Sequence, residues 1–142
     1  MATQVITAGD HPRIEIEIDG DLYINGCENP EIKLVADEET LSFKELDGVF
    51  HIQGQDDCTM YAPIAAQILI LRVGGDLEIR NLSKSVQIKH VGGDLMGQLI
   101  CAAQIGSVGG DCDLRTVDGA LSVTNVGGDF TAIVTVPANK IA

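Results

Sequence analysis

The sequence predicts an all-β fold, a single-domain β-solenoid of about seven coils, 17–18 residues per coil, turning on Gly-Gly-Asp corners. Three observations predict it. Val73-Gly-Gly-Asp76-Leu77 recurs as Val91-Gly-Gly-Asp94-Leu95, Val108-Gly-Gly-Asp111-Cys112 and Val126-Gly-Gly-Asp129-Phe130, at spacings of 18, 17 and 18 residues. Between these corners the apolar positions step by four, two and three, as in Val73, Leu77, Ile79, Leu82, Val86, Ile88 and Val91. Sixteen glycines and only 4% aromatic residues describe many turns around an aliphatic core.

From the N-terminus, residues 1–13 read as a lead-in. Ile14-Glu-Ile-Glu-Ile-Asp then alternates cleanly, as a strand with an acidic outer face does. Ile18, Leu22, Ile24 and Cys27 follow the 4-2-3 spacing, and Asp19-Gly20-Asp21 copies the corner chemistry. Ile32 and Leu34, then Leu41, Phe43, Leu46, Phe50 and Ile52, continue the pattern less regularly. The template is weakest at 35–40 and 53–63, which read as loops or irregular coils, so 14–63 forms the less regular, acidic part. Ile64, Ile68, Ile70 and Val73 restore the spacing, and 64–142 forms the regular repeats within one domain spanning 1–142.

The spacing has a direct physical meaning. Steps of two keep side chains on one face of a strand, and the four-residue step carries the chain round a corner. A helix would need steps of three and four without recurrent Gly-Gly breaks. One coil cannot offset the entropy of ordering itself, so stability arrives with stacking, which extends both the core and the backbone ladders. Seven coils about 4.8 Å apart make a rod roughly 34 Å long. The structural corner residues are Gly74, Gly75 and Asp76, Gly92, Gly93 and Asp94, Gly109, Gly110 and Asp111, and Gly127, Gly128 and Asp129. The glycines are expected to supply a backbone conformation other residues adopt at a cost, and each Asp to bond its own turn's amides.

Charge narrows the partners. Residues 1–57 hold 14 acids against Arg13, Lys33 and Lys44, whereas 58–142 hold seven acids and six bases. Phosphate binding needs the opposite sign, so nucleic acid and anionic membrane are not expected partners. The N-terminus lacks a basic region followed by an apolar one, which makes a cytoplasmic location the default expectation. Cys27, Cys58, Cys101 and Cys112 form no CxxC pair and no zinc spacing; Cys27 and Cys112 fall on inward positions, as small hydrophobes. His11, His51 and His90 are widely separated.

No enzyme site, cofactor or metal site is expected. The stacked aspartates invite a cation, but carboxylates about 5 Å apart in water repel by only about 0.8 kcal/mol, so no counter-ion is required. The calcium-binding nonapeptide needs a third Gly and a later Asp that are not in register here. GxSxG, HExxH, GxGxxG and GxxxxGK[ST] are absent. The outward positions Glu78, Gln87, Met96, Asp113 and Ser122 show no cluster of carboxylates or bases.

The ends of such a rod differ from its faces. The last coil of a solenoid exposes strand edges that template further strands. Here the chain runs Phe130-Thr-Ala-Ile-Val-Thr-Val-Pro, apolar and uncharged, and Phe130, Ile133, Val134 and Val136 are the candidate self-association residues. The expected role is a non-enzymatic scaffold that forms a homo-oligomer or longer assembly. Two alternatives concern the edge itself: docking on further sequence in a longer parent, and a tail folded back at Pro137. A different functional reading is a soluble recognition module that offers a flat face to a protein or glycan.

The Val-Gly-Gly-Asp-Leu corners, with the intervening halves Leu82-Ser-Lys-Ser-Val-Gln-Ile and Val117-Asp-Gly-Ala-Leu-Ser-Val, resemble the bacterial adhesin-like β-solenoid repeats, a group of largely uncharacterised function. The resemblance spans roughly 14–136 and implies a fold more than an activity. A second, weaker likeness is to bactofilins, β-helices that polymerise through their ends, which would imply a filament or scaffold. Neither family offers catalytic residues to carry over.

Overall fold

Alternating inward aliphatics separated by tight corners give strands throughout. The computed structural model describes residues 2–7, 12–28, 31–36, 41–117 and 121–134, and among them no residue is helical. The strands are β1 (Ala2–Thr7), β2 (Arg13–Ile18), β3 (Leu22–Cys27), β4 (Glu31–Ala36), β5 (Leu41–Leu46), β6 (Val49–Gly54), β7 (Cys58–Pro63), β8 (Gln67–Val73), β9 (Leu77–Val91), β10 (Leu95–Val108), β11 (Cys112–Val117), β12 (Leu121–Val126) and β13 (Phe130–Val134).

These strands stack as two mixed sheets. One runs β5, β6, β2, β8, the second half of β9, the second half of β10, and β12. The other runs β1, β4, β7, β3, the first half of β9, the first half of β10, β11 and β13. β9 and β10 cross from one sheet to the other without a break, so hydrogen bonding links all 13 strands. Register follows the repeat: Leu95 lies opposite Leu77 and Val108 opposite Val91.

The stacking does not follow chain order. β2 has β6 on one side and β8 on the other, and β3 has β7 and the first half of β9. The segment from β4 to β7 is thus laid on the outer side of β2–β3 before the chain returns through β8. On that outer side β5 pairs antiparallel with β6, β4 with β7, and β1 with β4; every other pairing is parallel. Corner-joined units are therefore β6–β7, β2–β3, β8–β9, β9–β10, β10–β11 and β12–β13. Of the stretch 35–40, expected as a loop or irregular coil, Val35 and Ala36 instead belong to antiparallel β4, and 37–40 lie outside the described residues.

Ile68, Ile70, Val73, Leu77, Ile79, Leu82, Val86, Ile88 and Val91 are all buried, as the 4-2-3 spacing requires. The expectation of a loop or irregular coil at 53–63 is corrected: β6 and β7 make a regular unit with Phe50, Ile52, Cys58, Met60 and Ala62 inside. Its corner reads Gly54-Gln-Asp-Asp57, with Gly54 opposite Ile18, so the missing branched residue hides the repeat. Leu46 and Ile64, read as pattern positions, are exposed. β2 buries Ile14, Ile16 and Ile18 in steps of two, and the extra residue in β8 is absorbed by a register shift between Ile16 and Glu17.

The edge opposite the corners has its own chemistry. β9 bends at Asn81 (φ 60), and Asn81 Nδ2 donates to Asn25 Oδ1 at 2.9 Å. A Cβ on Gly26 would overlap the Asn81 carbonyl oxygen, so this position tolerates glycine alone.

Candidate functional site

The Gly-Gly-Asp corners stack into a single column, which is the most repetitive surface of the molecule. Backbone rungs hold it: Gly93 N–H donates to Gly75 O at 2.9 Å, Gly110 N–H to Gly93 O at 2.9 Å and Gly128 N–H to Gly110 O at 2.9 Å. The corner glycines have no positive φ; among described residues that is confined to Asp47, Gly48 and Asn81. The expectation that they supply an unusual backbone conformation is therefore corrected. They are needed for space: a Cβ on Gly92 would overlap Gly74 O, and one on Gly93 would overlap Asp76 Oδ1.

The aspartates form a ladder between units rather than bonding their own turn. Asp21 N–H donates to Asp57 Oδ1 at 2.8 Å, and Asp76 N–H to Asp21 Oδ1 at 2.8 Å. Asp94 N–H reaches Asp76 Oδ1 and Asp111 N–H reaches Asp94 Oδ1, each at 2.9 Å, and Asp129 N–H reaches Asp111 Oδ1 at 2.8 Å. Each carboxylate thus satisfies a backbone donor of the next unit, and the ladder has a direction, from Asp57 to Asp129. The sequence identifies the column but not this connectivity, which needs the stacking order. Beside it lies a groove of about 310 Å³ lined by Asp21, Asp57, Asp76, Asp94, Tyr23 and Met96. Among the described residues no group of three or more His, Cys, Asp or Glu side chains converges on a metal-sized site.

Other sequence-selected residues are dispersed. His51 Nδ1 lies 2.8 Å from Glu15 Oε2, across the β6–β2 pairing, while His90 is exposed and His11 lies outside the described residues. Burial pushes the Cys58 thiol up to about 11, and burial with the neighbouring Asp113 charge does the same for Cys112. Both are poor nucleophiles at neutral pH. Cys27 is half-buried and donates from Sγ to Ala62 O at 3.4 Å. The outward faces carry short-range ion pairs, Arg80 with Glu78 at 3.3 Å and Arg115 with Asp113 at 3.4 Å, and Arg72 pairs with Asp19.

The last unit differs from the others. Among described residues β12 pairs only with β10, and β13 only with β11. Phe130 follows the inward column of Cys112 but is 46% exposed, and Ile133 follows the outward column of Arg115 and is 54% exposed. Val134 ends β13, though its side chain lies outside the described residues, as does all of Val136.

Among the described residues no helix is long and apolar enough to cross a membrane. No protein-family model matches the chain, and no curated protein matches it. Four solved chains are similar to it, among them two named for adhesion. A "putative cell adhesion protein" from Clostridium sporogenes is 10% identical, with 94% of this chain and 99% of that one covered at a TM-score of 0.43. A "putative adhesin" from Parabacteroides merdae is 13% identical, with 95% and 79% covered at a TM-score of 0.35.

Proposed function

We propose that the chain is a short β-solenoid acting as a non-enzymatic structural protein of the cytoplasm, and that it self-associates through its C-terminal unit. The observation that carries this reading is that β12 and β13 pair on one side only among the described residues, with Phe130 and Ile133 half exposed beside them. Burying each of these side chains contributes about 2 kcal/mol, and each new edge hydrogen bond about 1 kcal/mol. Association costs about 4–15 kcal/mol in lost freedom. The side chains alone do not overcome that cost, so strand pairing has to contribute, and the assembly depends on concentration.

Mass measurement by light scattering from 1 to several hundred micromolar, on the order of the range these energies set, tests the reading. A mass that rises with concentration, and falls back in Phe130→Lys, is expected. A monomer throughout, unchanged in Phe130→Lys, would sink it.

A second reading, recognition of a protein or glycan on a flat face, rests on the outward column Tyr61, Asn25, Arg80, Gln98 and Arg115, set side by side by strand register. Aromatic, amide and guanidinium groups in one row suit polar polymers.

A further inference from the structure

We infer that self-association is tail to tail: two copies meet through their β12–β13 ends in a closed two-fold dimer, and the acidic end takes no part. This rests on the self-association proposed above and adds the partner surface and the stopping point.

Shape is the first ground. Among the described residues the two sheets finish level at the C-terminal end, each with one strand of the same unit, β12 and β13. At the other end they finish unevenly. Beyond the β6–β7 unit one sheet adds β5 alone, while the other adds β4 and then β1. The second sheet therefore projects one strand further, a step of about 4.8 Å. A level end placed on a stepped end can pair with only one of its two edges. Placed on a second level end, it pairs with both.

Charge gives the second ground. Among the described residues up to Asp57 ten acids stand against three bases, so the half of the stack towards the stepped end carries most of their negative charge. The described residues of the last unit, 121–134, contain a single charged side chain, Asp129. Tail-to-tail contact sets the acidic ends as far apart as the two molecules allow, whereas contact between acidic ends brings like charges together.

The ladder gives the third. Every corner carboxylate from Asp57 to Asp111 accepts an N–H from the unit that follows it. Extending the ladder past Asp129 would need a parallel corner unit. The first such unit of another copy, β6–β7, is covered by β5 and β4. A polar, head-to-tail continuation of the column is thus blocked, and the two-fold arrangement pairs the edge strands antiparallel instead.

Sedimentation equilibrium of the full chain over a wide concentration range separates the outcomes. The expected result is a plateau at twice the chain mass, converted to monomer by Phe130→Lys and by Ile133→Glu, each still folded by circular dichroism. Val5→Lys and Leu46→Lys, on the 58% and 51% exposed side chains of the stepped end, leave the plateau unchanged. Growth beyond two copies, or a dimer abolished by Val5→Lys or Leu46→Lys but not by Phe130→Lys, overturns the tail-to-tail arrangement and leaves self-association standing. A monomer at every concentration overturns both.

Discussion

Each corner aspartate from Asp57 to Asp111 does two jobs with one side chain. Its Oδ1 satisfies a backbone amide of the next unit, and its position leaves room for the glycine that precedes that amide. Asp94, which accepts from Asp111 N–H at 2.9 Å, is the cleanest place to measure this. Asp94→Ala is expected to lower unfolding free energy by about 1 kcal/mol, the net worth of an ordinary hydrogen bond. Asp94→Asn keeps a side-chain oxygen in the same place and removes one charge from the column, so urea denaturation should place it at or above the parent. If Asn behaves like Ala, the carboxylate acts through its charge rather than as an acceptor. Asp76, Asp94, Asp111 and Asp129 were legible from the repeat, and Asp21 from its copy of the corner, but Asp57 was not. Nor were their partners, because spacing along the chain cannot say that Asp57 lies beneath Asp21 and not beneath Asp76.

At the scale of the element, legibility depended on whether a strand pair keeps its branched corner residue. Val73, Val91, Val108 and Val126 announce their units. Gly54 conceals one, although Phe50, Ile52, Cys58 and Met60 hold the same inward alternation. A second signal was present in Asp47-Gly48, both with positive φ (54° and 77°), which joins antiparallel β5 and β6 as a tight hairpin. An Asp-Gly pair between apolar runs is a hairpin signature, and it marks where the repeated parallel pattern gives way to an antiparallel cap. Gly48→Ala should cost about 1–2 kcal/mol from the left-handed backbone, with open space around the added methyl. A loss well above that, read by thermal denaturation, would mean the hairpin also anchors the cap.

For the whole molecule, the two ends obey different rules. Beyond β8 each unit adds to the last in chain order, so stability there grows by neighbour contacts, as in other repeat arrays. Duplicating residues 73–90 directly after His90 should insert one more unit without disturbing the antiparallel end. The denaturant slope should rise by roughly an eighth, in proportion to the surface buried, with the transition still cooperative. A split transition would show that the stacked units and the cap fold separately.

The position of β2–β3 between later strands also fixes when the molecule can be completed. This pair is among the first made, yet its neighbours come from β6–β7 on one side and β8–β9 on the other. At about 5–20 residues per second on the ribosome, roughly 3–14 s separate the emergence of residue 13 from that of residue 82. Until β6 emerges the three isoleucines of β2 have no sheet on either flank, and until β8 emerges they have one on a single side. The nascent chain must therefore keep its most apolar early strand soluble, and the acidic residues that alternate with those isoleucines, Glu15 and Glu17, are placed to do so.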